Sequence, residues 1–154
     1  MLAVVQRAGF ASCGVEKECV ARIQKGLVVF LAVGKNDGWE DARWIANKIC
    51  NLRVFEDKEG KMNLSVREVG GELLLIPQFT LYGDCRKGYR PSFSSAAPFE
   101  KAKFLFEQVF DLILGQGVKA KKGVFGAKML VEVKNEGPVT LILTTDHLRG
   151  QQNG

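Results

Sequence analysis

The longest apolar run in the sequence, residues 27–33 (LVVFLAV), constrains the fold more than any other feature. A continuous apolar run of strand length is typical of a strand that is buried on both faces, and such a strand needs packed layers on either side of its sheet. The run is far shorter than the roughly 18 apolar residues that indicate a membrane-spanning helix. We therefore expect a globular domain around this strand and no membrane segment.

Size and composition agree with a single domain. The chain has 154 residues, of which 46% are hydrophobic and 25% are charged, as is ordinary for a globular protein. Lys and Arg number 22 against 17 Asp and Glu, and the resulting net charge of +5 permits a polyanionic partner. The N-terminus has no basic start followed by a long apolar segment, so the sequence predicts no signal peptide.

The cysteines and the single histidine limit the chemistry. His147 lies in a polar C-terminal segment, which argues against a catalytic triad because any triad in this chain must use that residue. The cysteines form no CxxC pair and are a poor template for a metal site, so we expect neither a metal nor another cofactor. Free thiols in a reducing cytoplasm are expected for all four, namely Cys13, Cys19, Cys50 and Cys85.

The pattern of apolar residues predicts both strands and helices. About seven strands are expected, at residues 1–7, 14–23, 27–33, 53–56, 72–76, 129–134 and 139–144. Helical spacing predicts two helices, the first capped at Asp37 and the second between Pro98 and Gly115. Because the two kinds of element do not alternate regularly, we predict an α/β fold of β-rich mixed sheets in barrel-like layers with two helices packed on one side. We expect a single domain of residues 1–145, followed by a polar C-terminal tail of residues 146–154.

The segment PQFTLYGD, residues 77–84, is the first that could carry chemistry. A strand ends at Pro77, and the amide of Gln78 and the hydroxyl of Thr80 follow beside the apolar Phe79. Polar groups at a strand end can line a pocket. The alternative is a strand edge with a satisfied Thr and a core Phe, and spacing alone favours this alternative.

The segment NEGPVT, residues 135–140, is the second. An X–Pro bond is the place where a cis peptide costs only about 0.5–1 kcal/mol, and a preceding Gly removes the side chain that would crowd the proline ring. Gly137 and Pro138 could therefore present their carbonyl oxygens in one fixed direction. An ordinary turn between two strands is the simpler interpretation.

The segment GVFGAKM, residues 123–129, is the third. Two glycines bracket Phe125, so the backbone could approach a ligand closely at this point. A nucleobase could stack on Phe125 or rest against Met129. The alternative is a bulge with a core Phe.

Two clusters of basic residues neighbour these segments in the sequence. A phosphate backbone would suit both clusters, and such binding would weaken steeply with salt. A solvated charged surface is the usual explanation of short charge runs. The clusters consist of Arg86, Lys87 and Arg90, and of Lys119, Lys121 and Lys122.

Together these segments resemble the D-aminoacyl-tRNA deacylase family, first named for D-tyrosyl-tRNA. The resemblance runs from residue 1 to residue 144, and its motifs occur in the family's order. They are VVQR, KGLVVFLAVGK, NLRVFEDKEGKMNLS, GGELLLIPQFTLYGD, KGYRPSF, GVFGAKM and NEGPVT.

The resemblance implies a cytoplasmic homodimer with two active sites at the subunit interface. The family hydrolyses the ester that joins a D-amino acid to the terminal ribose at the 3′ end of tRNA, and it also accepts glycine mischarged onto tRNA. L-amino acids are rejected by steric collision, and the 2′-hydroxyl of the RNA assists the hydrolysis. Gly137 and Pro138 would form a cross-subunit Gly–cis-Pro element that enters the partner's pocket, and Arg7 would hold this element in position.

The resemblance also implies roles for the remaining site residues. Main-chain donors near Phe79 and Thr80 would support the oxyanion, and Gln78 would complete the catalytic positions around the ester. Thr80 is expected to position the substrate rather than attack it, because no base is apparent beside it. The other substrate-binding positions would be Pro77 in the pocket strand, and Phe125 and Met129 around the terminal adenine.

One position departs from the family pattern, because Pro77 stands where the family usually has Ser. A related animal group of deacylases, which corrects L-alanine on threonine tRNA, has Pro there and a relaxed chirality, but Phe79 and NEGPVT follow the main family. Two alternatives therefore stand beside a D-selective deacylase. One is a relaxed-chirality editing deacylase acting on L-alanyl-tRNA, and the other is a non-catalytic RNA-binding dimer.

Overall fold

The computed structural model describes residues 1–150 of the chain. These residues form eight strands, three helices and one 3₁₀ turn. The strands are β1 Leu2–Val15, β2 Glu18–Ile23, β3 Gly26–Ala32, β4 Phe55–Glu56, β5 Met62–Leu64, β6 Glu72–Pro77, β7 Lys119–Lys122 and β8 Leu130–Thr144. The helices are α1 Trp39–Asn51, α2 Phe99–Gly115 and α3 His147–Gly150, and the 3₁₀ turn is Phe79–Tyr82.

A six-stranded sheet forms the body of the domain, with β1 at its centre. β8 pairs antiparallel with one edge of β1 over almost its whole length, whereas β3 and β2 pair antiparallel with the first and second halves of the other edge. Beyond β3, β6 and then β7 add in parallel. β2 returns beside β6 and β7, so the sheet curls into the barrel-like form that the sequence predicts. β4 and β5 form a separate two-stranded ribbon.

The curled sheet has two cores, and the apolar run of β3 faces both of them. Val29 and Leu31 belong to the core between the sheet and the helices. Val28 belongs to the second core, inside the curl, and Phe30 packs against that core. A fully buried aliphatic side chain contributes roughly 1.5–3 kcal/mol. The predicted burial of residues 27–33 on both faces of the sheet is therefore confirmed.

Both predicted helices are present, and they pack against each other on one side of the sheet. The predicted cap of α1 is wrong by one residue. Gly38 precedes the helix, and its N–H donates to Asp41 Oδ2 over 2.9 Å. Asp37 instead accepts a hydrogen bond from the Gly34 N–H, because the loop before α1 turns back on it. None of the helices in residues 1–150 has the length and apolar character that crossing a membrane requires.

The segment that the sequence predicts as a polar tail begins with α3. Arg149 forms ion pairs with Asp37 and, over 3.1 Å, with Asp41. The α-ammonium group of Met1 lies 2.8 Å from Asp37 Oδ2 in the same cluster. Ion pairs and hydrogen bonds with the buried carboxylates of Asp37 and Asp41 therefore hold α3 against the domain. The sequence does not predict this because the contacts are polar and leave no pattern of apolar residues. The rest of the predicted tail, residues 151–154, lies outside the described residues.

Candidate active site

The sequence favours a turn between two strands at NEGPVT, but the structure has no turn there. A single strand, β8, pairs with β1 on both sides of it. Gln6 pairs with Thr140 and Ala8 pairs with Asn135, so Arg7 on β1 faces the four residues 136–139 on β8. These four residues form a bulge, which we call the Gly–Pro bulge. The prediction of a turn is wrong because Gly and Pro also occur at bulges, and β1 is long enough to pair with both halves of β8.

Arg7 holds the Gly–Pro bulge against the domain. Its side chain is only 7% exposed. Nε donates to the carbonyl oxygen of Glu136 over 3.1 Å, and Nη1 donates to the carbonyl oxygen of Val54 over 2.8 Å. Asn135 closes the neck of the bulge, because its Nδ2 donates to Thr140 Oγ1 over 2.9 Å. The structure therefore places Arg7, which the family resemblance assigns to the Gly–Pro element, beside that element.

Gly137 and Pro138 form the exposed tip of this bulge. The peptide bond between them is cis. Gly137 has a φ of +119°, and a Cβ added there would lie 2.9 Å from Arg7 Nη2 and 3.0 Å from Val139 Cγ2. Only glycine fits this conformation without displacing the neighbouring side chains. The tip is therefore exposed, and the hydrogen bonds of Arg7 and Asn135 fix the residues on either side of it.

Five of the predicted site residues line a cavity of about 510 Å³, whereas Thr80 and the Gly–Pro bulge do not. The cavity lies between the end of β6, the start of α2 and the segment that precedes β8. Residues from two of the three segments singled out in the sequence line it, namely Pro77, Gln78, Phe79, Phe125 and Met129. Neither Gly137 nor Pro138 lines the cavity of its own chain.

The 3₁₀ turn begins beside this cavity and carries free backbone donors. β6 ends at Pro77, and the Gln78 N–H donates to the carbonyl oxygen of Leu31 over 2.8 Å, which fixes the start of the turn. Within residues 1–150, the N–H groups of Phe79 and Thr80 have no hydrogen-bond acceptor. First-turn N–H groups are unsatisfied by geometry and attract negative charge. The Gln78 side-chain amide donates to Thr80 Oγ1, so the two side chains are held together.

Phe125 is held from two sides by aromatic rings of α2. Its ring centroid lies 5.1 Å from that of Phe99 and 5.6 Å from that of Phe106. Gly126 next to it has a φ of +80°, and a Cβ there would lie 2.9 Å from the Phe99 ring. The two glycines around Phe125 therefore do mark a close approach of the backbone, but at Gly126 the backbone approaches the Phe99 ring and not a ligand. Sequence reasoning missed Phe99, which α2 places on the cavity wall.

Two titratable groups near the turn are tied to other residues. The Arg86 side chain and N–H donate to Asp84 and lower the pKa of this carboxyl to about 2, so Asp84 is a poor proton acceptor at neutral pH. Burial, followed by the charge of Asp37, raises the pKa of the Tyr82 phenol well above its usual range. Neither group is therefore available as a general base at neutral pH.

His147 lies away from the cavity. Its ring packs edge-on against Trp44, with 4.6 Å between the ring centroids. Within residues 1–150, no three His, Cys, Asp or Glu side chains come together as metal ligands. The polar groups that the 3₁₀ turn and its first neighbour place near the cavity are backbone N–H donors, the Gln78 amide and the Thr80 hydroxyl.

Comparison with known proteins assigns the chain to one family. The family model described as "D-Tyr-tRNA(Tyr) deacylase" matches residues 4–144. A D-aminoacyl-tRNA deacylase from Thermotoga petrophila is 51% identical over 96% of this chain and 99% of its own length. A D-aminoacyl-tRNA deacylase from Fervidobacterium nodosum is 53% identical over 93% of this chain and 96% of its own length.

Solved structures share the fold. A structure described as c-Myc DNA Unwinding Element Binding Protein superposes with a TM-score of 0.89 at 37% identity, covering 94% of this chain and 99% of the other. A probable eukaryotic D-amino acid tRNA deacylase superposes with a TM-score of 0.79 at 18% identity, covering 92% of this chain and 97% of the other. Since the family model and the relatives span nearly the whole sequence, the chain belongs to the D-Tyr-tRNA(Tyr) deacylase family and is a hydrolase.

Proposed function

We propose that this enzyme removes D-amino acids, and glycine mischarged onto tRNA, from the 3′ end of aminoacyl-tRNA. Water cleaves the ester, which releases the free amino acid and leaves the tRNA with a free terminal ribose hydroxyl. The observation that carries this proposal is the meeting of Gln78, Phe79, Phe125 and Met129 at one cavity. Because aminoacyl-tRNA serves cytoplasmic protein synthesis, we assign the activity to the cytoplasm.

The aromatic end of the cavity suits the terminal adenine. A volume of about 510 Å³ falls within the range of roughly 300–1,000 Å³ that is usual for small-ligand pockets. Phe125 offers a ring that its two neighbours hold still, and Met129 offers a polarisable sulfur. The adenine would bind here, and the ester would extend toward Gln78 and Phe79.

A second copy of the chain would complete the site. The far edge of β8 has no partner strand among residues 1–150. Leu130 and Ile142 on this strand are each 75% exposed. Exposed apolar side chains on a long edge strand favour contact with another chain. In a symmetric dimer, each copy would lend its Gly–Pro bulge to the cavity of the other.

Main chain is suited to the rejection of L-amino acids. The Gly–Pro bulge cannot swing aside like a side chain, because Arg7 and Asn135 fix its base. An L side chain would collide with it, whereas a D side chain would point elsewhere, and such collisions discriminate more strongly than small attractive contacts. Glycine has no side chain, so it would not collide with the Gly–Pro bulge and would be accepted.

The hydrolysis needs a water molecule and a place for the developing negative charge. The free N–H groups of Phe79 and Thr80 would donate to the oxyanion. The 2′-hydroxyl of the substrate's own ribose would assist the attack by water. Thr80 would position the ester through its contact with Gln78, because neither His147 nor Asp84 can activate it as a nucleophile.

One observation favours a second candidate function. Pro77 lines the cavity where the family usually has Ser, and it brings neither a hydroxyl nor an N–H donor. An enzyme with relaxed chirality that removes L-alanine from mischarged tRNA would have the same substitution. We give preference to D-selectivity because the Gly–Pro bulge retains the main-family sequence NEGPVT.

Three substrates test the proposal against its alternatives. The protein is incubated with D-tyrosyl-tRNA, L-tyrosyl-tRNA and L-alanyl-tRNA mischarged on threonine tRNA, and released amino acid is measured. We expect turnover of the D-substrate alone. Turnover of the L-alanyl substrate would replace the proposal by the relaxed-chirality activity, and binding of tRNA without release of any amino acid would contradict deacylation.

A further inference from the structure

The loop that follows the 3₁₀ turn returns to the active site at its base. The Asp84 N–H donates to the Ser92 carbonyl oxygen over 2.8 Å, and the Ser92 N–H donates to the Asp84 carbonyl oxygen over 3.0 Å. Phe93 then packs edge-on against Phe79, with 5.1 Å between the ring centroids. The base of this loop is therefore fixed directly beside the proposed ester site.

The tip of the loop, residues 85–90 (CRKGYR), projects from that base. All six of its residues are exposed. Tyr89 is 105% exposed, so packing against the rest of the domain does not explain an aromatic residue there. Arg86 has a structural partner, because its guanidinium donates to both carboxylate oxygens of Asp84 over 2.9 and 2.6 Å. Lys87 and Arg90 form no ion pair within the part of the chain that the structure describes.

An exposed aromatic ring between two unpaired cations matches the chemistry of single-stranded nucleic acid. Bases stack on exposed aromatic rings whatever their sequence, and Lys and Arg contact the phosphates between them. The same cations would repel their own copies if two tips met in a dimer. A second subunit is therefore a poorer occupant of this surface than RNA.

We propose that the tip binds the unpaired nucleotides immediately 5′ of the terminal adenosine. Tyr89 stacks on a base, and Lys87 and Arg90 contact neighbouring phosphates. The tip extends about three residues from its base, which is at most roughly 10 Å. Stacked nucleotides are about 3.4 Å apart along a strand, so this reach covers two to three nucleotides beyond the one in the cavity. The inference rests on the proposed function, since that function brings the RNA 3′ end to Phe79.

Two substrates of different length test the tip separately from the chemistry. D-Tyrosyl-tRNA contains the nucleotides that the tip would hold, whereas D-tyrosyl-adenosine contains only the terminal nucleoside. We expect Tyr89→Ala to raise KM for the tRNA roughly 5- to 150-fold, the range that base stacking supplies. KM for D-tyrosyl-adenosine and kcat for both substrates should stay at the parent values. Tyr89→Phe keeps the ring and should behave as the parent does.

A charge variant tests the phosphate contacts. In Lys87→Gln/Arg90→Gln, the slope of log KM for the tRNA against log salt concentration should fall by about 1.4, since each phosphate contact on a single strand contributes about 0.7. The matched control is Lys58→Gln/Lys103→Gln, which removes two exposed lysines from other surfaces. The control should keep the parent slope.

Different failures have different meanings. If the tip variants leave KM for the tRNA unchanged while the parent deacylates both substrates, the inference is wrong and the proposed function stands. Equal losses on both substrates, or a drop in dimer fraction by sedimentation equilibrium, would also overturn it. If the parent deacylates neither substrate, the proposed function fails. Binding of uncharged tRNA by the parent and by Tyr89→Ala would then still decide whether the tip holds RNA.

Discussion

The Arg7 side chain ties β1 to the backbone of Glu136, because its Nε donates to the Glu136 carbonyl oxygen over 3.1 Å. A second hydrogen bond, from Nη1 to the Val54 carbonyl oxygen over 2.8 Å, anchors the same guanidinium to the segment before β4. A planar guanidinium holds two acceptors in fixed directions, which a lysine ammonium on a flexible stem cannot do. The position of the Gly–Pro bulge therefore depends on a rigid fork.

The variant Arg7→Lys should loosen the Gly–Pro bulge while keeping the charge. We expect the free energy of unfolding to fall by about 1–3 kcal/mol, because a partly buried carbonyl loses its donor. The ratio of kcat/KM for D-tyrosyl-tRNA to that for L-tyrosyl-tRNA should also fall, since a looser wall rejects L side chains less well. Urea unfolding and steady-state kinetics measure the two effects. Arg43→Lys, on an exposed face of α1, is the matched control, and an unchanged ratio in Arg7→Lys would contradict the role of Arg7.

The variant Gly137→Ala should damage activity beyond its effect on stability. The new Cβ would meet Arg7 Nη2 at 2.9 Å, so the tip must shift. A misplacement of about 1 Å costs roughly 10²-fold in rate, and we expect a loss of this size for D-tyrosyl-tRNA. Gly60→Ala is the control, because Gly60 also has a positive φ, +77°, but has open space around it. Turnover by Gly137→Ala at the parent rate would show that the bulge does not form part of the site.

The sequence predicts the strands and helices that burial dictates. The continuous apolar run of β3 indicates burial on both faces of the sheet. The apolar residues of α2 recur at helical spacing and indicate one face that packs against the domain core. Both patterns follow from the removal of apolar surface from water, which is a local property of the chain. This local property is why the β-rich, barrel-like class with two helices on one side could be predicted.

The features that the sequence does not predict depend on partners far away in the chain. The Gly–Pro bulge looks like a turn because nothing in NEGPVT indicates that β1 continues beside it. Arg149 looks like a tail residue because its partners, Asp37 and Asp41, lie more than 100 positions earlier. Phe99 lines the cavity and lies close to Gly126, which has no side chain to keep its ring away. This contact joins residues far apart in the sequence, so the spacing of apolar residues does not predict it. Residue types and spacing single out the segments of the site, whereas the roles of Gln78, Phe79 and Thr80 are implied only by the family resemblance.

The variant Thr80→Ala tests whether the Thr80 hydroxyl attacks the ester or only positions it. We expect measurable single-turnover deacylation of D-tyrosyl-tRNA, because the backbone N–H groups of Phe79 and Thr80 remain in place. Removal of a true nucleophile costs roughly 10⁴-fold or more. A loss on that scale, together with an acyl-enzyme trapped by rapid acid quench of the parent, would assign the attack to Thr80. Thr80→Ser, which keeps a hydroxyl at the same position, is the control.

Asp41 links the stability of the fold to pH. Burial opposes ionisation of this carboxyl, but hydrogen bonds from Thr145 and Gly38, with the charges of Met1 and Arg149, lower its pKa below the ordinary value of 3.8. A carboxyl with a lower pKa in the folded chain stabilises that chain fully above the unfolded pKa. This stabilisation is lost as the pH falls through the folded pKa, because the unfolded chain then binds the proton more tightly.

The variant Asp41→Asn should therefore flatten the acid limb of the stability curve. The free energy of unfolding, measured in urea at intervals between about pH 2 and 5, should rise less steeply with pH than in the parent. At neutral pH the variant should be less stable, since Arg149 and the Met1 ammonium lose one of their carboxylate partners. Asp111→Asn removes an exposed carboxylate of α2 and serves as the control. If Asp41→Asn followed the parent curve throughout the acid range, Asp41 would contribute nothing to the pH dependence of folding.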